Sequence, residues 1–395
     1  MEPISPSPHA SRFTPHVLEP GARLGVLGGG QLGAMFAAAA RRMGYRVAVW
    51  DPDATAPGLR LADHPISRPF DDVAALDTFI RSVSAVTYEW ENIPAATARA
   101  IEAAVPLRPS AAILATIQNR LEQKLFLSRQ GIPVAPFAPV RMVEELAVSE
   151  TMGYPCLCKT ATSGYDGKGQ WRLESPHDAK RLREELNKTA SSGLWVVERF
   201  LAFEKELSVL IVRGADKEHR AYPVVENQHE AGILRVTRVP ADVDRPMAER
   251  AQRIALAVVE ALDGVGVFCV ELFLMPDGAL YVNEVAPRPH NSGHYTLDAC
   301  TVSQFEQQVR VVAGAPLGEV RLLCPAVMIN LIGEDVVRAT SGEALSNLLR
   351  APGAKLHLYG KGEVRPRRKM GHVTFLSEKA EDAWIAAGAF RAALG

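Results

Sequence analysis

Short apolar segments alternate with alanine-rich segments near the start of the chain, and this alternation constrains the fold more than any other feature. Arg23–Leu27, Arg46–Trp50 and Ala85–Tyr88 have the composition of strands, and Ala111–Arg129 has that of one long helix. Strands that alternate with helices form a parallel sheet with helical crossovers. The sequence therefore predicts a parallel α/β domain at residues 23–118.

The overall composition is that of a soluble protein with several domains. A length of 395 residues suggests two or three domains. The 44 Lys and Arg nearly balance 45 Asp and Glu, and a net charge of −1 excludes binding of nucleic acid or an anionic membrane through bulk charge. No apolar run is long enough to span a membrane, and five cysteines do not make a disulfide framework. These features predict a cytoplasmic protein without a nucleic-acid or membrane partner, with a flexible proline-rich tail at residues 1–22.

A first glycine-rich loop follows the first predicted strand. Gly28, Gly30 and Gly33 fit the pattern G-x-G-x-x-G, and Asp51 ends the next predicted strand. In dinucleotide-binding domains such glycines permit a tight turn around a pyrophosphate, and the carboxylate binds a ribose. A glycine-rich turn at a helix N-terminus also offers free N–H groups to any other anion. The loop alone leaves three alternatives: NAD, another phosphorylated ligand, or a purely structural turn.

Two glutamates are predicted to face each other in a hairpin. Asp277-Gly278 is a turn signal between two strand-like segments. A two-residue turn there would place Glu271 directly opposite Glu284, with Cβ atoms roughly 4.5–5.5 Å apart. Such carboxylates repel each other, and Mg²⁺ typically binds one or two carboxylates together with nucleotide phosphates. The pair predicts a metal site; the alternative is an ion pair between one carboxylate and an arginine such as Arg288.

A lysine and a second glycine-rich loop form the next candidate site. Lys159 ends a strand-like segment, and the loop GYDGKGQ at residues 164–170 follows it. A lysine at the end of an apolar strand either extends its ammonium to water or binds an anion. The glycines permit close approach of the backbone to a phosphate in a mobile flap, although an ordinary flexible hairpin tip has the same composition.

Positive charge is concentrated near the C-terminus. The segment KGEVRPRRK at residues 361–369 holds five basic residues in nine. Because the whole chain is nearly neutral, a clamp for one phosphate is favoured over a solvated basic turn or a nucleic-acid patch.

These motifs together resemble those of the ATP-grasp enzymes, and most closely those of the N5-carboxyaminoimidazole ribonucleotide synthases of purine biosynthesis. The resemblance is carried by Lys159 and by the segments GYDGKGQW, VVERFLAFEKELSV, NEVAPRPHNSGH, GGGQLG, YEWENIP, NQHEAGILR and KGEVRPRRKMGH. It implies a multidomain α/β and α+β fold. The expected parts are a Rossmann-like pre-ATP-grasp domain at 23–118, an ATP-grasp domain at 119–315 with a lid at about 132–200, and a small α+β C-terminal domain at 316–395.

The resemblance also implies an ATP site between two α/β layers. Arg120, Lys159 and His229 would lie near the phosphates, and Glu206 would bind the ribose hydroxyls. The flap would contact the phosphates through Gly164, Tyr165, Asp166, Gly167, Lys168, Gly169 and Gln170. The adenine would meet the segment formed by Glu198, Arg199, Phe200 and Leu201. Asn283 and Glu284 match the Asn-Glu pair of the family, with Glu271 and Glu284 on Mg²⁺.

The ribonucleotide would bind against the first glycine-rich loop. The residues implied for it are Gln31, Leu32, Glu89, Arg288, Lys361 and Arg368, the last two for its phosphate. Arg288 and His290 are the candidates for binding bicarbonate. Tyr165 and Asp166 would orient or deprotonate the reacting amine; alternatively, they pack the flap and cap a turn. The family usually has Gly where Arg367 stands, which leaves the shape of the basic turn open.

The implied activity is ATP- and bicarbonate-dependent carboxylation of 5-aminoimidazole ribonucleotide through carboxyphosphate, with release of ADP and phosphate. The protein would be a C–N bond-forming ligase and a homodimer. Three alternatives stay open: another ATP-grasp carboxylase or ribonucleotide transformylase, an NAD(P)-dependent oxidoreductase, and a non-catalytic nucleotide-binding protein.

Overall fold

The computed structural model describes residues 17–162, 169–188 and 193–395. These residues form three β-sheets of two kinds. Among these residues one sheet is parallel and the two others are antiparallel. Their helices include none with the length and apolar character needed to cross a lipid bilayer.

The N-terminal part is the predicted parallel sheet with helical connections. Its elements are β1 (Arg23–Leu27), α1 (Gln31–Arg42), β2 (Arg46–Trp50), β3 (His64–Ile66), α2 (Val73–Ser82), β4 (Ala85–Tyr88), α3 (Ala95–Ala104) and α4 (Ala111–Gln118). The strand order is β3-β2-β1-β4. Leu27 at the end of β1 lies beside Tyr88 at the end of β4, so the loops after these strands meet at one edge. Leu18, in the segment predicted as a tail, donates from its N–H to the Ala313 carbonyl at 2.8 Å.

The single helix predicted over Ala111–Arg129 is wrong, because Asn119 divides it. The backbone of Asn119 is extended, and its side-chain oxygen accepts from the N–H of Leu121 at 3.0 Å and of Glu122 at 3.3 Å. This is an N-cap, which satisfies amides that a new helix leaves unpaired. Arg120 therefore becomes the first residue of a second helix.

The lid is a small antiparallel sheet with helices on one side. Its elements, with the helix that leads into it, are α5 (Arg120–Arg129), β5 (Phe137–Val140), α6 (Val148–Met152), β6 (Cys156–Thr160), β7 (Gln170–Leu173), α7 (Pro176–Lys188) and β8 (Trp195–Arg199). The order is β5-β8-β6-β7. Lys159 on β6 pairs with Gln170 on one side and Val196 on the other, so it lies inside the sheet and not at its edge.

The largest sheet carries the acidic hairpin. Its first elements are β9 (Lys205–Arg213), β10 (His219–Ala221), β11 (Val225–Glu230), β12 (Ile233–Val239), α8 (Arg245–Ala261), β13 (Gly266–Leu274), β14 (Leu280–Ala286), α9 (Thr296–Ala299) and α10 (Gln304–Ala313). Helix α8 packs on β9 and β13 through fully buried side chains such as Val258, Phe268 and Val270. Burial of such side chains stabilises the fold by roughly 1.5–3 kcal/mol each.

The C-terminal part continues the same sheet. Its elements are β15 (Ala326–Ile332), α11 (Asp335–Thr340), α12 (Gly342–Arg350), β16 (Ala354–Leu358), β17 (Lys369–Leu376) and α13 (Ala380–Leu394). Strand β15 pairs with β12, and over the described residues the order is β14-β13-β9-β11-β12-β15-β17-β16. The basic segment connects β16 to β17, at the far end of this sheet from the hairpin.

Candidate active site

Glu271 and Glu284 are paired across the hairpin, as the sequence predicts. The turn predicted between them is wrong, however. Met275 donates from its N–H to the Ala279 carbonyl at 2.8 Å, so the loop has three residues instead of two. Gly278 ends this loop with φ +83°, a conformation that favours glycine.

A β-bulge restores the register that the longer turn would have lost. Leu272 lies opposite Val282, while Glu271 lies opposite Glu284, so Asn283 is an extra residue on β14. Such a bulge re-aims neighbouring side chains. The Asn283 Nδ2 lies 3.5 Å from Glu271 Oε2, which places the Asn-Glu pair and Glu271 on one side of the hairpin.

The acidic pair has a nitrogen-bearing side chain on each side. Arg120 Nη1 lies 3.2 Å from Glu284 Oε2, and His290 Nε2 lies 3.4 Å from Glu271 Oε1. Burial, and next the charge of Glu284, raise the pKa of Glu271. The side chains of Glu271 and Glu284 are still 20% and 44% exposed, so a cation can reach both from the cleft.

These two carboxylates suit Mg²⁺ shared with a phosphate better than a metal held by protein alone. Within the described residues no group of three or more His, Cys, Asp or Glu could hold a metal ion. Mg²⁺ commonly binds one or two carboxylates and takes its other oxygen ligands from nucleotide phosphates and water. The donor set fits that pattern.

Glu198 is buried between two lysines. Its Oε2 lies 3.0 Å from Lys159 Nζ and 3.3 Å from Lys124 Nζ, and all three side chains are at most 7% exposed. Burial alone would raise the pKa of Glu198, but the charges of Lys159 and Lys124 outweigh it and lower this pKa to about 2. One carboxylate cannot neutralise two ammonium groups, so a positive charge remains here for an anion.

The segment after Glu198 is anchored by its backbone. The N–H of Arg199 donates to the Pro136 carbonyl at 2.9 Å, and that of Phe200 to the Pro155 carbonyl at 3.3 Å. Leu201 follows directly and is half-buried. Contact of this segment with adenine stays a prediction.

Glu206 and His229 hydrogen bond to each other through Glu206 Oε2 and His229 Nδ1. Burial lowers the pKa of His229, but the hydrogen bond and charge of Glu206 outweigh this and raise it. These residues, predicted to lie near the ribose and the phosphates of ATP, come from adjacent strands β9 and β11. Their contact with ATP stays a prediction.

The first glycine-rich loop is occupied by the protein's own carboxylates. The N–H groups of Gly30 and Gly33 donate to the two oxygens of Glu89, and that of Gly29 donates to Asp51 Oδ2 at 2.6 Å. A Cβ on Gly30 would lie 2.6 Å from Glu89 Oε1, which explains the glycine. Burial raises the pKa of Glu89 to about 7, although both amides lower it. These amides are therefore not available to a dinucleotide pyrophosphate.

Two predicted ribonucleotide contacts beside this loop differ in accessibility. The side chain of Leu32 is 7% exposed and lies in the core, so only its backbone can reach a ligand. Gln31 lines a cavity of about 310 Å³ together with Tyr359 and Gly360. This cavity connects α1 to the start of the basic turn.

The basic turn is held over the N-terminal domain. Lys361 Nζ donates to the Lys369 carbonyl at 2.8 Å, and Arg368 Nη1 donates to the Glu363 carbonyl at 2.9 Å. Arg60 of the N-terminal domain donates to the Gly360 carbonyl at 2.6 Å. Arg367 has φ +65°, so the turn keeps a glycine-like backbone although the residue carries a side chain.

Arg288 and His290 are brought together beside the acidic pair. Arg288 Nη2 forms an ion pair with Glu91 Oε1 at 2.7 Å. The ion pair predicted as the alternative for the acidic pair is formed by Glu284, but its arginine is Arg120 and not Arg288. Burial, then the charge of Arg288 and other cations, hold the pKa of His290 well below its usual range. A neutral imidazole next to a guanidinium can accept one hydrogen bond and leave the positive charge to Arg288.

Most of the flap lies outside the described residues, including Gly164, Tyr165, Asp166, Gly167 and Lys168. Its end is described: the Gly169 carbonyl accepts from the N–H of Thr160 at 2.8 Å, and Gln170 begins β7. The loop joins antiparallel strands β6 and β7.

Sequence analysis did not identify Lys124 as a site residue, and it gave Glu91 no role or partner. Lys124 lies one helical turn after Arg120 on α5, so both point to the same side. That spacing is a usable signal. Glu91 lies in the YEWENIP segment, but its pairing with Arg288 joins residues far apart in sequence and requires the tertiary structure.

Comparison with known proteins agrees with this architecture. The profile described as "Ribonucleotide synthetase preATP-grasp domain" matches residues 22–118. The profile described as "ATP-grasp domain" matches 125–305, and that described as "Phosphoribosylaminoimidazole carboxylase C-terminal domain" matches 326–384. The chain is 40% identical to an N5-carboxyaminoimidazole ribonucleotide synthase of Bacillus subtilis (strain 168) over 371 residues, 93% of this chain and 95% of that one.

The chain belongs to the N5-carboxyaminoimidazole ribonucleotide synthase family. A crystal structure of the ADP complex of an N5-carboxyaminoimidazole ribonucleotide synthetase matches with a TM-score of 0.90 at 39% identity, covering 95% of this chain and 97% of that chain. A synthase from Aspergillus clavatus in complex with ADP and 5-aminoimidazole ribonucleotide matches with a TM-score of 0.85 at 32% identity, covering 95% and 99%.

Membership of the synthase family confirms the predicted fold class and the predicted class of activity. The chain is an ATP-dependent ligase of the ATP-grasp type, with a pre-ATP-grasp and a C-terminal part. The dinucleotide-binding interpretation of the first glycine-rich loop is disfavoured, since Glu89 and Asp51 already bind its amides.

Proposed function

We propose that this chain carboxylates N5 of 5-aminoimidazole ribonucleotide with ATP and bicarbonate, and releases ADP and phosphate. One observation carries the proposal: Glu284 contacts Arg120 while its partner Glu271 contacts His290. The acidic pair therefore connects the residues suited to ATP phosphates with those suited to bicarbonate. The Aspergillus clavatus relative, which binds ADP and 5-aminoimidazole ribonucleotide, supports the choice of substrates.

In the first step a bicarbonate oxygen attacks the γ-phosphorus of ATP. The bond to the β-phosphate oxygen breaks, ADP leaves, and carboxyphosphate forms. Arg120 and Lys159 offset the negative charge of the transferring group, because electrostatic stabilisation dominates such reactions. Glu198 pairs with Lys124 as well as with Lys159, so it does not fully neutralise the positive charge of Lys159.

Glu271 and Glu284 are the residues that would hold Mg²⁺, with Asn283 beside them. When bound, the ion neutralises phosphate charge. Arg288 would bind the carboxylate group of bicarbonate, and Glu91 holds the guanidinium in place at 2.7 Å. The neutral imidazole of His290, whose Nδ1 accepts from the N–H of Ser292 at 3.3 Å, would donate a hydrogen bond from Nε2 to a bicarbonate oxygen.

In the second step the amine attacks the carbon of carboxyphosphate or of the CO₂ that it releases. A C–N bond forms, the bond between carbon and the phosphate oxygen breaks, and the amine loses a proton. Tyr165 and Asp166 are the proposed groups that orient or deprotonate the amine. Closure of the flap would keep water from the hydrolysis-prone intermediate.

The ribonucleotide would lie between the first glycine-rich loop and the basic turn. Gln31 lines the cavity there together with Tyr359 and Gly360. Glu89, Lys361 and Arg368 are the further residues that we propose for this ligand. Arg60 of the N-terminal domain donates to the Gly360 carbonyl at 2.6 Å, and this contact between the two parts supports a shared site. The same proposal includes a homodimer in the cytoplasm that acts on small molecules and binds neither nucleic acid nor membrane.

The test is phosphate release from ATP and bicarbonate, with and without 5-aminoimidazole ribonucleotide. We expect phosphate release that depends on the ribonucleotide. We also expect a product that loses CO₂ in acid and returns the ribonucleotide. Release that is independent of the ribonucleotide would point to another ATP-grasp carboxylase or to a transformylase. Oxidation of NADH or NADPH by the purified chain would favour the oxidoreductase alternative.

A further inference from the structure

Gln304 makes an unusual set of contacts with His290. It is the first residue of α10 and is fully buried. Its Oε1 accepts from the N–H of His290 at 2.9 Å, and its Nε2 donates to the carbonyl of the same residue at 2.9 Å. One side chain therefore holds both polar backbone atoms of His290.

The space around this amide leaves little freedom. A Cβ on Gly293 would lie 2.5 Å from Gln304 Oε1, so that position accommodates only glycine without a shift. The Nε2 also lies 3.2 Å from Nδ1 of His294, and the N–H of Gln304 donates to Thr296 Oγ1 at 3.0 Å. The orientation of the amide is thus set by several contacts.

The ring of His290 is fixed at the other end. Its Nδ1 lies 2.8 Å from Ser292 Oγ, and its Nε2 lies 3.4 Å from Glu271 Oε1. Ser292 Oγ in turn accepts from Ser208 Oγ at 2.9 Å on β9. Backbone and ring together admit one placement of the imidazole against the acidic pair.

We propose that Gln304 is a positioning residue for the bicarbonate half of the reaction, acting through the backbone of His290. This inference rests on the proposed function, in which His290 contacts bicarbonate. Reacting groups must be held within a fraction of an ångström, and a displacement of about 1 Å can cost 10²-fold in rate. Gln304 supplies that constraint without contacting a substrate.

Helix α10 provides a matched control. Gln307 is also fully buried, and it clamps one residue in the same manner: its Nε2 donates to the Gly318 carbonyl at 2.7 Å, and its Oε1 accepts from the N–H of Gly318 at 3.0 Å. Gly318 lies in the loop after α10 and is next to Val302 and Arg310, neither of which is proposed for the reaction. Methionine has the length of glutamine but neither hydrogen bond, so Gln304→Met and Gln307→Met remove equivalent contacts.

The experiment compares steady-state kinetics of the full chain and both variants, with bicarbonate varied in CO₂-depleted buffer and ATP varied separately. We expect Gln304→Met to lower kcat/KM for bicarbonate about ten-fold or more, while KM for ATP changes by less than about two-fold. Gln307→Met should leave both unchanged even if it lowers the melting temperature equally. If the Met variants do not fold, Gln304→Asn and Gln307→Asn, which shorten the side chain by one methylene, are compared instead.

Equal kinetics for the two variants would overturn the inference, as would a rise in KM for ATP as large as the effect on bicarbonate. The proposed function fails separately, when the unmodified chain shows no phosphate release that depends on the ribonucleotide. If the unmodified chain shows ribonucleotide-dependent phosphate release and the Gln304 and Gln307 variants have the same kinetics, only the positioning role is refuted.

Discussion

Glu284 lies directly opposite Glu271 on the β13–β14 hairpin, and the extra residue Asn283 is what places it there. Without the bulge, the three-residue turn would put Asn283 opposite Glu271 and turn Glu284 toward the other face of the sheet. The bulge therefore decides whether the hairpin presents one carboxylate or two to the cleft.

Replacing one member of the acidic pair should abolish activity but preserve the fold. Glu284→Gln removes one charge of the proposed metal site, and also the charge that, next to burial, raises the pKa of Glu271. We expect loss of ribonucleotide-dependent phosphate release with a melting temperature close to that of the unmodified chain. Glu249→Gln, which removes an exposed carboxylate from α8, is the control and should be fully active. Full activity of Glu284→Gln would refute the metal site.

The two lysines that share Glu198 should behave as a coupled set. Glu198→Gln leaves two buried ammonium groups without a counter-charge, which should cost about 3 kcal/mol of unfolding free energy. Adding Lys124→Met to it should restore part of that loss, because only one ammonium then remains. Denaturant unfolding of the single and double variants measures this coupling, and strict additivity would contradict it.

Lys124→Met alone should weaken nucleotide binding. Glu198 would then neutralise Lys159 completely, and the surplus positive charge would be lost. We expect the dissociation constant for ADP, measured by calorimetry, to rise about ten-fold. Lys355→Met on β16 is an exposed control, and an equal effect there would show that the charge of Lys124 has no local role.

Buried histidines should make the fold sensitive to acid. Burial, and then the positive charge of His357 and nearby cations, lower the pKa of His294 from 6.5 to about 3. Between these values only the unfolded chain binds the proton, so the free energy of unfolding decreases as the pH falls from 6.5 toward 3. One such proton changes stability by about 1.4 kcal/mol per pH unit.

His294→Phe should reduce this pH dependence, measured by denaturant unfolding at several pH values between 7 and 5 (roughly the span over which an unfolded histidine is protonated). His219, exposed on β10, provides the control variant His219→Gln. Equal slopes for His294→Phe and the unmodified chain would contradict the assignment.

The left-handed backbone at Arg367 predicts a stability difference between two substitutions. Arg367→Gly and Arg367→Ala both remove the contact of Nη2 with the Ala231 carbonyl. Only glycine adopts φ +65° without strain, so the glycine variant should be more stable than the alanine variant by about 1 kcal/mol. Thermal unfolding of the two variants checks this, and equal melting temperatures would count against it.

Local sequence signals predicted the strands of the first domain and the pairing of the two glutamates, because both depend on patterns a few residues long. The pairing was correct although the turn was wrong, since the longer turn and the bulge at Asn283 compensate each other. Bulges leave no clear signal in one sequence, so this compensation could not be predicted.

The break in the helix at Asn119 and the contacts of the first glycine-rich loop were not predicted, for two different reasons. Asn119 is of a residue type that often caps helices, but the helical pattern on both sides of it favours one continuous helix. That Glu89 occupies the amides of Gly30 and Gly33 depends on the alignment of β1 with β4. The same glycine pattern is compatible with an external or an internal anion, and only the tertiary structure distinguishes them.

Strand β15 pairs with β12, so the C-terminal residues complete a ladder that begins in the ATP-grasp part. Removal of everything after residue 315 would strip β12 of its neighbour and leave unpaired amides and carbonyls along an edge. Bare edges of that kind associate with other chains. A truncated protein should therefore aggregate instead of persisting as a smaller nucleotide-binding unit, so the basic turn cannot be removed with its strands without exposing an edge of the ATP-grasp part.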